Sequence, residues 1–197
     1  MRVDASEPFE ILRTALETVG ARYAVGGSWA STAYSEARFT PGIDMLVDFQ
    51  LGNLERFLAI LPGIFYRDAD HARESLQTGR PFNLIYMPTA LKFDLFPARA
   101  FPLGLEELSR AVLLPNSGLS AEPIPFVSAE DILLAKLHWF REGGEVSEKQ
   151  WRDIRGIVRS RSNDLDRAYL QRGSQVLGVS GLLDRALEPD SQDVGKV

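Results

Sequence analysis

Residues Val25–Phe49, VGGSWASTAYSEARFTPGIDMLVDF, constrain the fold more than any other stretch of the chain. The apolar run Tyr23-Ala24-Val25 stops at Gly26-Gly27-Ser28. A small-residue segment follows from Ser28 to Tyr34, then a polar turn with Arg38 and Thr40. A second apolar run extends from Ile43 to Phe49 and carries Asp44 near its start. The pattern reads as strand, tight glycine turn, short helix, strand. Glycines let backbone N–H groups approach a bound group closely, and a helix opening at Ser28 favours an anion at its N-terminus. An acid at the edge of the neighbouring strand is then placed to hold a cation beside that anion. Phosphate with Mg²⁺ is the natural pair of occupants.

The rest of the first two thirds alternates helices and strands. Glu7–Val19 reads as a helix with Phe9, Leu12, Leu16 and Val19 on one side. Gly52–Leu61 reads as another, closed by Pro62-Gly63, with a weak strand at Ile64–Tyr66 and a short helix at Ala69–Leu76. Phe82–Met87 and Leu91–Phe96 form an expected hairpin. Within it, strand alternation puts the Asp94 carboxylate on the same face as Lys92 and Phe96. Gly104–Val112 reads as a helix, Asn116-Ser117-Gly118 as a turn, and Pro123–Val127 as extended.

From Ser128 the character is helical. Ser128 with Asp131, and Ser147 with Gln150, are capping boxes opening helices that run to about Arg141 and Val158. Asn163 is the expected start of a third helix and Ser180 of a fourth. The expected organisation is a core over 1–127, a helical subdomain packed on it over 128–188, and a loose polar tail over 189–197.

Composition narrows the chemistry. A length of 197 residues suits one domain with a helical extension. The net charge of −5 argues against a strongly basic nucleic-acid surface and leaves a nucleic-acid partner open. The absence of cysteine excludes disulfides and thiolate metal sites, and fits a cytoplasmic location. With only two histidines, His71 and His138, a His-rich zinc site is not expected. No apolar run is long enough to cross a membrane.

Gly26, Gly27, Ser28, Arg38, Thr40 and Asp44 fall on a pattern that resembles the nucleotidyltransferases of the DNA-polymerase-β-like superfamily. That pattern is a strand, GG or GS, a short helix, then Arg and Thr leading to Asp-x-Asp at the next strand. LKFDLF, with Asp94, looks like the later strand that carries the third metal-binding carboxylate. EDILLAKLHWFREGGEVSEKQWRDIRGIV resembles the C-terminal half of bacterial nucleotidyltransferase-like proteins related to AbiEii-type abortive-infection toxins.

The resemblance implies an α+β nucleotidyltransferase fold: a small mixed sheet flanked by helices, with a C-terminal helical subdomain. It implies Asp44 and Asp94 as metal-binding and catalytic acids. It implies Gly26, Gly27, Ser28, Arg38 and Lys136 as nucleotide contacts, with Asp153 as a possible addition. The partners it implies are an NTP and Mg²⁺. Trp29, Trp139 and Trp151 are expected in the core.

One position departs from the pattern: Gly42 stands where the superfamily has the first Asp of its pair. Asp48 shares a strand face with Asp44, but at roughly 13 Å it is too far along to substitute. Two carboxylates still suit one Mg²⁺ shared with phosphate oxygens. The expected function is therefore NTP binding with weak or lost nucleotidyl transfer. Two alternatives stand beside it. One is an active transferase modifying tRNA, protein or a small molecule, with Glu36 or water filling the gap. The other is a non-catalytic module of a toxin–antitoxin or defence pair, with a partner protein.

Overall fold

The computed structural model describes residues 4–34, 42–115 and 117–188. Glu36, Arg38, Thr40, the turn residue Asn116 and the tail 189–197 lie outside the described residues.

Among the described residues seven strands make one mixed sheet: β1 (Tyr23–Val25), β2 (Gly42–Val47), β3 (Phe65–Arg67), β4 (Phe82–Tyr86), β5 (Leu91–Pro97), β6 (Val112–Leu114) and β7 (Ile124–Phe126). Their order is β3-β4-β5-β2-β1-β7-β6. The β2–β5 and β1–β7 pairs are parallel and the remaining pairs antiparallel. The helices are α1 (Ser6–Thr18), α2 (Gly27–Tyr34), α3 (Leu51–Ile60), α4 (Ala69–Thr78), α5 (Gly104–Ser109), α6 (Ala129–Glu142), α7 (Glu148–Arg161), α8 (Arg167–Leu177) and α9 (Ser180–Leu187). This is the expected α+β architecture.

The described residues fall into two compact units. The first runs to Ser128 and holds all seven strands with α1 to α5, except Tyr34; the second holds Tyr34 and α6 to α9.

In the first unit one face of the sheet is apolar except for Arg67 at the β3 edge, the register partner of Leu84. Ile43, Met45 and Val47 of β2, Phe93 and Leu95 of β5, and Phe82 and Leu84 of β4 are buried on it. Phe9, Phe57 and Phe65 are fully buried as well, and the Phe49 and Phe57 rings meet at 5.1 Å. Each such phenylalanine contributes about 1.5–3 kcal/mol by leaving water. The alternate positions of the same strands are more open. Gly42 and Asp44 on β2 are half-buried, as are Asp94 and Phe96 on β5, and Lys92 is exposed. The apolar wording of Ile43–Phe49 predicts a strand buried on both faces. Only its second half, from Met45, meets that expectation.

The segment read as one helix over Gly104–Val112 is two elements. α5 ends at Ser109, and Val112 begins the short edge strand β6, which pairs with β7. Leu113 is 65% exposed there, so no alternation marked the strand in advance.

The second unit is a packed set of helices, with α6 against α7 and α8 and α9 against α7 and α8. Leu133, Leu134, Leu137, Ile154, Ile157 and Leu170 form its interior. Asp131 is fully buried among them and accepts a hydrogen bond from the Tyr169 hydroxyl. The Ser147 side chain caps α7 by accepting from the Gln150 N–H, as its spacing predicts. α8 starts later than expected, after Asp166, whose carboxylate accepts from the Tyr169 N–H. It stops at Gly178, in the left-handed region at φ 67°.

Candidate functional site

The glycine turn and Asp44 are locked together by the backbone. The Gly26 N–H donates to the Asp44 carbonyl at 2.8 Å, extending the β1–β2 ladder past Val25. The Gly26 carbonyl then accepts from Ala30 N–H at 3.0 Å and starts α2. Gly27 adopts φ 53°, and a Cβ there would lie 1.8 Å from Asp44 Oδ2 and 2.7 Å from Asp44 Cβ. The second glycine is thus required twice over, by its backbone angle and by the acid lying against it. Gly26 is under no such constraint: its nearest neighbour would be Val127 Cγ2 at an ordinary 3.7 Å. Ser28 stands in the first turn of α2, where backbone N–H groups lack partners within the helix.

Strand register brings the two predicted acids together. Across the parallel β2–β5 pair Asp44 is the partner of Asp94, Gly42 of Lys92, and Leu46 of Phe96. Paired strands lie about 4.8 Å apart and partners project to the same face. On the other side of β5, Asn83 is the antiparallel partner of Asp94, and its amide donates to Asp94 Oδ1. Lys92 Nζ reaches the same oxygen at 3.0 Å; its side chain is 49% exposed and that of Asp94 only 18%. Gly42 leaves room for little: a Cβ would meet the Lys92 carbonyl oxygen at 3.3 Å.

Asp48 has a different task. Its carboxylate is clamped by Arg22 at 3.0 Å and by Arg99 at 2.6 Å, tying the end of β2 to the entry of β1 and to the turn after β5.

In the second unit Lys136 and Asp153 form an ion pair at 3.1 Å, with side-chain exposures of 13% and 20%. None of the three tryptophans expected in the core is fully buried: Trp29 and Trp151 are half-buried, and Trp139 is 44% exposed. It projects away from the buried α6 stripe of Leu133, Leu137 and Phe140. Trp151 lies against Phe140 at 5.3 Å, with the Arg185 guanidinium 4.2 Å above its ring. His138 stands edge-on to Trp139 at 5.1 Å, and burial holds its imidazole below the usual histidine range. A cavity of about 380 Å³ in this unit is lined by Trp151, Arg152, Arg155 and Arg185 among others, and contains neither Asp44 nor Asp94.

Among the described residues no three His, Asp or Glu side chains gather as a metal site, and no helix is long and apolar enough to cross a membrane.

No family model matches the chain, and no curated protein matches it by sequence. Solved structures do. An antigenic nucleotidyltransferase-like protein from Paracoccidioides brasiliensis is similar over 93% of this chain and 92% of its own, at 16% identity and a TM-score of 0.55. ANT(2")-Ia in complex with adenylyl-2"-tobramycin is similar over 91% of this chain and 98% of its own, at 16% identity and a TM-score of 0.53. At that identity the likeness is one of fold: the chain has a nucleotidyltransferase-like fold.

Proposed function

We propose that the chain binds a nucleoside triphosphate on the Asp44–Asp94 face of its sheet, with the phosphates at the Gly26-Gly27-Ser28 turn, and that it transfers nucleotidyl groups weakly or not at all. The observation that carries this reading is the pairing of Asp44 with Asp94 beside a glycine turn that opens a helix. The main-chain N–H groups at the start of α2 suit phosphate oxygens, and the Ser28 hydroxyl adds a donor. Asp44 and Asp94 would hold Mg²⁺, which when bound neutralises phosphate charge. Arg38 and Lys136 are assigned to the nucleotide by the resemblance alone, and Asp153 holds the Lys136 ammonium in place.

Nucleotidyl transfer requires a hydroxyl to attack the α-phosphate while pyrophosphate leaves. With glycine at position 42 the carboxylate that bridges both ions in the resembled pattern is missing. Losing one positioned cation removes several kcal/mol of transition-state stabilisation, on the order of 10³-fold in rate or more.

Isothermal titration with each of the four NTPs and Mg²⁺, beside a labelled-NTP transfer assay, tests the proposal. At least one NTP is expected to bind, with little or no transfer. Failure of all four to bind ends the nucleotide reading. Turnover in the ordinary enzymatic range ends the weakened-transfer part. That second outcome would favour an active transferase acting on a small hydroxylated molecule, the reading supported by the structural neighbour solved with adenylyl-2"-tobramycin.

A further inference from the structure

We infer that Asn83 is a positioning residue for the cation site: its amide holds one oxygen of Asp94, so that the acid offers the cation only the other. The inference rests on the cation reading above and specifies how the second acid is aimed.

Three residues stand in one register row across adjacent strands. Asn83 of β4 is the partner of Asp94 on β5, and Asp94 is the partner of Asp44 on β2. Asp94 therefore has the amide on one flank and the other acid on the opposite flank. A carboxylate turns broadly about its last torsion, so a strand acid without a fixed donor has no set heading. The Asn83 amide removes that freedom by donating to Asp94 Oδ1. Lys92 Nζ pairs with the same oxygen at 3.0 Å. With Oδ1 drawn to the β4 side, Oδ2 is left for the β2 side, where Asp44 stands.

The residue type agrees. Asparagine is depleted within strands, where β-branched and aromatic residues fit better. Its neighbours Phe82 and Leu84 are buried on the apolar face, and Asn83 is half-buried on the other. What an amide supplies there, and a β-branched apolar side chain does not, is the donor to Asp94.

Holding one oxygen also selects among ions. Mg²⁺ demands a tight octahedron, and it is bound through one or two carboxylates together with phosphate oxygens. Ca²⁺ accepts both oxygens of a carboxylate in a larger, looser shell. With Oδ1 engaged by protein donors, Asp94 is a one-oxygen ligand, which favours the smaller ion.

The test compares the wild type with Asn83→Leu, Asn83→Ala and Asn83→Gln. Mn²⁺ is titrated without nucleotide and followed by electron paramagnetic resonance, Ca²⁺ is competed against it, and urea unfolding is run in parallel. Leucine suits a strand and removes the donor; alanine repeats the removal without added bulk; glutamine keeps the amide on a longer stem. Asn83→Leu and Asn83→Ala should lose about tenfold in Mn²⁺ affinity. Ca²⁺ should lose less, narrowing the preference for Mn²⁺ by about threefold or more. Asn83→Gln should recover most of both effects. Mn²⁺ affinity equal to the wild type in a folded Asn83→Leu or Asn83→Ala overturns the inference, whatever the urea midpoint does. A parallel fall for both ions overturns its one-oxygen part. A wild-type protein that takes no Mn²⁺, with or without ATP, overturns the cation reading itself and the inference with it.

Discussion

A Cβ on Gly27 would lie 1.8 Å from Oδ2 of Asp44, so the acid lies where it does only beside a residue without a side chain. Motif spacing sets the two side by side in a list; contact makes the glycine a condition of the acid's position.

Gly27→Ala should therefore damage the site and the fold together. The clash reaches Asp44 Cβ at 2.7 Å, which rotation of the carboxylate does not relieve, and φ 53° disfavours any side chain. A loss of about 1–3 kcal/mol is expected in urea titration, with nucleotide affinity falling further than stability alone explains. Gly26→Ala, with ordinary contacts at its Cβ, is the control and should be far milder.

Gly42→Asp tests the missing carboxylate directly. The new Cβ would sit 3.3 Å from the Lys92 carbonyl, a tight fit that asks for a shift of a few tenths of an ångström. Mn²⁺ affinity should rise about tenfold, read by electron paramagnetic resonance without nucleotide. No gain would mean that Asp44 and Asp94 do not act as one cation site.

Tyr169→Phe probes the interior of the helical unit. The hydroxyl donates to Asp131, which is fully buried, so its removal strips a partner from an acid that water does not reach. A loss of about 1–3 kcal/mol is expected in chemical denaturation. A neutral result would show that other donors satisfy Asp131.

His138 gives the fold a pH dependence of defined sign. Burial lowers its pKa from the ordinary value of 6.5, so the unfolded chain binds a proton before the native one does. Stability should be full above pH 6.5, fall as pH drops toward the depressed native value, and level off below it. His138→Gln should flatten that part of the profile in a pH series of thermal melts.

Most of the elements were legible in the sequence because each carried its own period. The glycine turn and the hairpin carried turn residues as well. What periodicity does not encode is pairing between distant strands. The meeting of Asp44 with Asp94 was expected only through resemblance, since nothing local links residues on β2 and β5. Asn83 was missed although the hairpin held the signal. With Tyr86 opposite Leu91 across the turn, counting back sets Asn83 opposite Asp94. Lys92 was seen to share a face with Asp94, but a lysine on a strand face ordinarily reads as solvation. Its pairing with Gly42 becomes visible only in the strand register. Lys136 and Asp153 stand on different helices, beyond the reach of any within-helix spacing rule, so the sequence offers them only as separate candidates.

The two parallel ladders of the sheet carry a kinetic consequence. β1 waits for β7 and β2 waits for β5, segments that synthesis and local collapse do not bring near each other. Long loops must close before those contacts repay the entropy of forming them, whereas the β4–β5 hairpin closes early. The face that carries Asp44 and Asp94 therefore requires closure of the loop between β2 and β5, and a nascent chain ending before Leu91 has no such face.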